Sequence, residues 1–525
     1  MNTHLKQYRW PLVVSLLILA LSSAPILAGY AAQTPSQRFV GIFSDRMDYA
    51  VHMAMMHYGA QGGWDYQFRF TTEPQTVTYL KTIYVILGHF AGWTGFPLDI
   101  FFQVARLVFG LLACLSIYYL MTRIFTTKSQ IRLAFILAIL GAGLGWIQMP
   151  FGLIPDPNIS PIDFWLIDAY VFFNMATLPH LSIVIAAMAF TVALFLNHLQ
   201  RPRWLNIALI AVCAIFVQFV NPIAFIIVDA ALAGVVAFSC WQKRRLDWTL
   251  VLSLGFLAII QIPLMGYSFT LMTRDPAWAE FNRQNITLSP PPIYLLFGFG
   301  LFWPFALFGT IKALRQQNPN LGWAIAWTVF AIGMAYLPIA IQRRFLLAIT
   351  IPLAVLATPA ILEFSGWLHR RSPLSELTGA TVIVALTIIS SLSMIGASSM
   401  DMFQRPATSF EPAALVQAVD WLGQHGTPND VVLAAEPTAQ LIAIRTPLRL
   451  YFGHPMETLH YDDKEREVEN FYRGLQPESW LENLPVTWVM FGPHEREWSS
   501  SPPDSPRLKL AYQNDLVTIY RVISP

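Results

Sequence analysis

Two carboxylates and an imidazole, Asp45, Asp48 and His52, fall within eight residues of a polar stretch in a very apolar sequence. If residues 45–56 are helical, the spacing is i, i+3, i+7 and the three side chains share one face. A carboxylate set against a hydroxyl can act as a general base. The same three groups could instead hold a divalent cation, Mg or Mn, that in turn binds a pyrophosphate. A merely solvated face of a surface helix is the third reading. His57, Asp65 and Glu73 follow in the same stretch, interleaved with aromatics.

Other residues suit a charged substrate. Arg343 and Arg344 are adjacent, and paired guanidinium groups match a phosphate bidentately. Headgroup snorkelling would explain them equally well. Arg106 stands near the outer end of an apolar run, where pairing with a carboxylate is the alternative to substrate binding. His180 follows Pro179 at the start of another run, as a ligand or as a structural helix-start histidine. Asp229 lies inside an apolar run, where a carboxylate is costly and is either functional or a buried hydrogen-bonding group. Trp64 and Tyr66 could stack on a sugar ring.

These residues must be positioned by a membrane protein. Of 525 residues, 55% are hydrophobic and 12% charged, against about 25% charged in a soluble domain. The apolar run 11–30, preceded by Lys6 and Arg9, reads as a signal peptide or a first span, and the spans behind it favour the latter. Further spans of about 20 residues are expected at 98–122, 131–149, 180–198, 204–220, 223–241, 249–267, 292–313, 322–341, 345–363 and 377–397, eleven in all. Basic residues fall on every second loop: Arg123/Lys128/Arg132, Arg201/Arg203, Lys243/Arg244/Arg245, Lys312/Arg315 and Arg370/Arg371. By the positive-inside bias those loops and the N-terminus are cytoplasmic. The outer side then receives 31–97, 150–179, 268–291 and the tail, with surface helices expected at 77–92 and 164–174.

Residues 400–525 carry 10 Lys/Arg against 17 Asp/Glu, a net −7, while the first 399 carry 23 against 14, a net +9. That asymmetry predicts a membrane domain, 1–399, and a separate domain, 400–525. A helical stretch at 412–424 and β-type runs at 431–434, 486–491 and 516–522 make the tail a small α/β domain. The three cysteines sit in apolar runs and outline neither a disulfide framework nor a zinc site. No phosphate loop, zinc-protease or serine-hydrolase motif occurs in the tail, and no nucleic-acid partner is expected.

The layout resembles the GT-C glycosyltransferases, among them the protein O-mannosyltransferases and the aminoarabinose lipid A transferases. The likeness spans about residues 10–365. It rests on Asp45-Arg46-Met47-Asp48-Tyr49 after the first span, where Arg46 stands in place of the usual Glu. It rests also on Glu73-Pro74 through Tyr84, Gly88 and Arg106, and on Arg343-Arg344-Phe345-Leu346 before Ile351-Pro352. The resemblance implies a polyprenyl-phosphate or -pyrophosphate sugar donor, an inverting transfer and a lipid tail lying between spans. Asp45 would be the base. Asp48, His52 and Glu73 would shape the site or hold a metal, and Arg343 and Arg344 would neutralise the leaving phosphate. It implies a multi-pass plasma (inner) membrane protein with an extracytoplasmic tail. The tail's Gly453-His454-Pro455-Met456-Glu457-Thr458 looks like part of similar bacterial extracytoplasmic domains, binding acceptor or glycan or covering the outer loop. A lipid or saccharide transporter, with two symmetric halves, and a non-catalytic scaffold with a binding tail are the competing classes.

Overall fold

The computed structural model describes residues 2–151, 161–371 and 376–523. The outer segment expected at 150–179 falls partly on 152–160, outside the described residues. Within the described residues seven helices are long and apolar enough to cross a membrane, from Tyr8–Ala31 to Thr378–Gln404. An eighth crossing forms if Pro292–Phe299 and Phe302–Gln316, bent by 86°, count as one. This is a multi-pass membrane protein.

Each of the eleven expected spans holds a helix; Trp204–Val220 and Pro319–Ala335, with 17 residues each, are at the short end of a bilayer crossing, and Lys128–Leu140, with 13, falls below it. The expected span 131–149 stops at Leu140 because Gly141 and Gly143 leave the helix. There Ala142 N–H donates to Thr387 O (2.8 Å) and Leu144 N–H to Phe297 O (2.8 Å). The span expected from 345 starts at Thr350, after a 3-10 turn, Gln342–Leu346, and a left-handed Ala348 (φ 52°). The helix expected at 164–174 is two 3-10 turns, Ile162–Phe164 and Ile167–Ala169, and a short helix, Val171–Thr177. Every residue of that helix is buried in protein, so it does not lie on a surface.

The chain divides into two compact units. One holds residues 1–24, 105–268 and 286–397 and contains most of the apolar helices. The other gathers residues 25–104, 269–285 and 398–525, so the first loop packs with the tail.

The tail is the expected α/β fold. Its strands are β1 (Gln37–Phe39, lent by the first loop), β2 (Phe410–Pro412), β3 (Val431–Leu433), β4 (Arg449–Leu450), β5 (Trp488–Phe491), β6 (Leu508–Gln513) and β7 (Thr518–Val522). β1 pairs antiparallel with β2, placing Phe39 opposite Phe410. The other five form one sheet ordered β4-β3-β5-β7-β6. β3 is parallel to β4 and β5, while β7 runs antiparallel to β5 and β6. The central β3 and β5 are unbroken apolar runs buried on both faces, as an inner strand covered on two sides must be. Edge strand β6 is mostly exposed and carries Lys509, which discourages edge-to-edge pairing.

In the first loop, Arg46–Ala60 crosses Ile83–Thr94 through a pair of glycines. A Cβ on Gly59 would overlap Val85 O, and one on Gly88 would overlap Met56 O. Only glycine at both positions lets the two backbones touch. The helix expected at 77–92 therefore begins later, at Ile83, and lies against the acidic helix.

Candidate functional site: an acidic helix capped by a tail histidine

The acidic helix begins at Arg46, not at Asp45. Asp45 is its N-cap in the left-handed conformation (φ 56°), and its carboxylate accepts from Asp48 N–H at 3.3 Å. Aspartate is a favoured cap because it satisfies an amide that has no partner within the helix. The shared face therefore comprises Asp48 and His52, with Asp45 at its head.

Asp48 keeps 47% of its side chain exposed. His454 of the tail, only 5% exposed, brings Nε2 to 3.9 Å from Asp48 Oδ1. The tautomer of His454 is set by its other nitrogen. Nδ1 accepts from the amides of Met456 and Glu457, both at 3.1 Å, so the proton sits on Nε2, the nitrogen 3.9 Å from Asp48 and outside direct hydrogen-bond reach. Burial holds the His454 pKa down to about 4, against the pull of Asp48. The ring is neutral at physiological pH.

Glu457 lies fully buried beside this pair. Tyr66 O–H donates to its Oε1 at 2.6 Å. Burial drives the Glu457 pKa up to about 7, with the Tyr66 bond and Lys81 opposing and Asp48 assisting. His52 stacks on Tyr84, ring centroids 3.9 Å apart and 15° from parallel. Burial, then His454 and Lys81, hold its pKa down to about 3, so it too is neutral. Trp64 is stacked on His89 at 3.7 Å, and His89 Nε2 lies 2.6 Å from Gly63 O.

A divalent cation on Asp45, Asp48 and His52 is one of the alternatives the spacing leaves open. Asp45 caps a backbone amide and His52 is stacked on a ring. Among the described residues no three His, Cys, Asp or Glu side chains gather to share a cation.

Glu73 has a structural partner. Its carboxylate meets the Lys464 ammonium at 2.6 Å and accepts from the Thr71 hydroxyl. Lys464 is 5% exposed and also covers the Tyr451 ring at 4.8 Å. Despite burial, which favours the neutral acid, the Lys464 bond holds the Glu73 pKa below its usual value. Arg46, where the resemblance leads one to expect Glu, is likewise absorbed by the tail. It pairs with Glu411 at 2.6 Å and donates to Pro437 O at 2.8 Å. Glu411 in turn faces His494 Nε2 at 3.2 Å, which raises the His494 pKa although burial opposes it.

The remaining candidates belong to the other unit. Arg106 is buried, donating to Ser22 Oγ (3.1 Å), Ser23 Oγ (2.7 Å) and Met175 O (3.1 Å). It ties two apolar helices and the short Val171–Thr177 helix together. Both Asp229 oxygens accept from Gln261 Nε2, at 3.1 and 3.2 Å, the hydrogen-bonding role among the two expected. His180 is half-buried at the second position of Pro179–Gln200. Arg343 and Arg344 share the 3-10 turn Gln342–Leu346. That turn is held by Arg343 N–H on Thr287 O (3.1 Å), and the Arg343 guanidinium stands over Trp165 at 5.5 Å.

Sequence reasoning named the His454–Glu457 run without a role. Its signal was two ionisable groups in a Gly/Pro-rich turn, but nothing local says that the turn closes on Asp48.

No protein-family model matches this sequence, and no curated protein matches it either. Solved structures do. An oligosaccharyltransferase from Archaeoglobus fulgidus, tethered to an acceptor peptide, aligns over 93% of this chain and 70% of its own, at 13% identity and TM-score 0.56. ArnT from Cupriavidus metallidurans, bound to undecaprenyl phosphate, aligns over 97% and 98%, at 13% identity and TM-score 0.53. The mycobacterial arabinofuranosyltransferase AftD aligns over 99% of this chain and 40% of its own, at 13% identity and TM-score 0.52. From the first span to the tail sheet, this chain has the GT-C fold.

Proposed function

We propose that this chain is a membrane glycosyltransferase that moves a sugar from a polyprenyl-phosphate or -pyrophosphate donor to an acceptor hydroxyl at the extracytoplasmic face. One observation carries the reading. A fold shared over more than nine-tenths of the chain with three transferases coincides with an open carboxylate, Asp48, set against a buried histidine donor. The ArnT structure holds undecaprenyl phosphate, which supports a lipid-linked donor.

In the reaction the acceptor oxygen bonds to the anomeric carbon as the bond from that carbon to the phosphate oxygen breaks. The anomeric centre inverts, the phosphate leaves with the bonding electrons, and the acceptor proton passes to a carboxylate. Asp48 takes that proton. His454 Nε2–H orients the Asp48 carboxylate, and Asp45 holds the start of the helix. The donor phosphate is assigned to Arg343 and Arg344 on charge and family resemblance. A fixed positive group opposite the leaving phosphate stabilises the charge that develops there.

The test is sugar transfer by the full-length chain in membranes supplied with undecaprenyl-phosphate-linked sugars. Asp48→Asn is expected to abolish transfer while the protein stays folded. Arg343→Gln/Arg344→Gln is expected to weaken donor use. Turnover retained by Asp48→Asn would remove Asp48 from the role of base.

A further inference from the structure

One hollow remains unused by this reading. Its cavity volume is about 490 Å³, within the range of small-ligand pockets. It lies across the acidic helix from Asp48, because His57 on its wall is nine residues further along, about half a turn round a helix of 3.6 residues per turn. Tyr30, Arg38 and Asp99 line it, and Asp420 and Arg445 of the tail close it.

Two features define what it could hold. The first is its level. Tyr30 stands in the last turn of the apolar stretch Tyr8–Ala31, and Asp99 in the first turn of Leu98–Ile124. Both helices are candidate crossings, so the wall of the hollow includes the ends of two of them. The second is its charge. Arg445 is committed to Asp420 through two bonds, 2.7 and 2.9 Å. His57 rests its Nε2 against Ile444 O at 3.1 Å and is kept neutral by burial. One cation, Arg38, and one anion, Asp99, are left to face the space. Tyr30 O–H lies 3.4 Å from Asp99, and its ring meets Phe39 edge-on at 5.2 Å.

We propose that this hollow binds the zwitterionic headgroup of a membrane phospholipid, with its phosphate on Arg38 and its ammonium between Asp99 and the Tyr30 ring. An ammonium over an aromatic face, beside a carboxylate, is held by both. An anionic headgroup would satisfy Arg38 through its phosphate but bring no cation to Asp99. An uncharged polyol would leave both ionic groups without a counterpart. The inference does not rest on the glycosyltransferase reading.

The test uses the full chain purified in detergent and offered equal amounts of dioleoyl phosphatidylethanolamine and dioleoyl phosphatidylglycerol. Retained lipid is counted by native mass spectrometry. One well-formed ion pair, about 1.4 kcal/mol, gives a preference of about tenfold for the ethanolamine lipid. Asp99→Asn should bring that preference close to parity. Arg38→Gln, at an exposed position, should lower retention of both lipids, since both carry the phosphate it would hold. Equal or stronger retention of phosphatidylglycerol by the unmodified chain overturns the proposal. So does a preference that survives in Asp99→Asn.

Discussion

His454 presents its Nε2–H to the Asp48 carboxylate from 3.9 Å away because two backbone amides occupy its Nδ1. The donor role is thus built into the tail's backbone rather than chosen by solvent. Two isosteres separate the roles of the ring nitrogens. Asparagine can keep an acceptor near the Nδ1 position, and glutamine can keep a donor near Nε2. If the donor matters, His454→Gln will retain more transfer activity than His454→Asn. Asp48→Asn should lower turnover by about 100- to 10,000-fold, the usual span for a general base. Initial rates with both histidine variants settle the order, and the reverse order would make His454 a structural anchor alone.

The neutral imidazole of His52 predicts acid sensitivity. Its folded pKa, about 3, lies below the unfolded value of about 6.5. Between those values the unfolded chain binds the extra proton, so stability falls as pH drops below about 6.5. His52→Phe preserves the stack on Tyr84 and cannot charge. Its melting temperature should decline less than that of the unmodified chain between pH 6.5 and 4, by differential scanning fluorimetry in detergent. Parallel curves would mean that His52 does not carry this term.

Glu457 predicts the opposite slope. Its folded pKa, about 7, lies above the unfolded value of about 4.3. Here the folded chain holds the extra proton, so stability is complete below about pH 4.3 and is lost as pH rises towards 7. Glu457→Gln can still accept from Tyr66 and removes the titration. The variant should gain on the unmodified chain between pH 5 and pH 8. A melting-temperature difference independent of pH would contradict the assignment.

Arg46 suggests a reversal experiment. Placing there the residue the resemblance leads one to expect, Arg46→Glu, would set a carboxylate against Glu411, which is 1% exposed. Breaking a buried pair in this way costs about 3–5 kcal/mol. The variant should therefore lose stability rather than gain activity, and Arg46→Glu/Glu411→Arg should recover part of the loss. Limited proteolysis of the tail reads both, and a stable single variant would show that the pair is dispensable.

Much of this fold is legible in the residues. The apolar runs mark each membrane helix, and Val431–Leu433, Trp488–Phe491 and Thr518–Val522 sit within the stretches that β-branched and aromatic content mark as strands. Lengths were less legible. One helix ends early, at Gly141, where the amides of Ala142 and Leu144 bond to Thr387 O and Phe297 O, which no local pattern announces. Strand β4 has two residues and β6 carries Lys509 and Gln513, so neither shows an apolar run. The candidate site was half visible. Asp48 and His52 stand out by spacing, but His454 arrives from a distant turn. Glu73 reads as a site residue by position, while its contact is with Lys464.

The β1–β2 pairing has a bearing on biogenesis. Residues 37–39 leave the ribosome long before residues 410–412, which complete their ladder. Contacts of such long sequence separation form late, since the intervening chain must first be closed into a loop. During synthesis the first loop therefore waits without Phe410 against Phe39. A chain interrupted before residue 410 would expose that edge permanently, making it a natural mark for quality-control proteases.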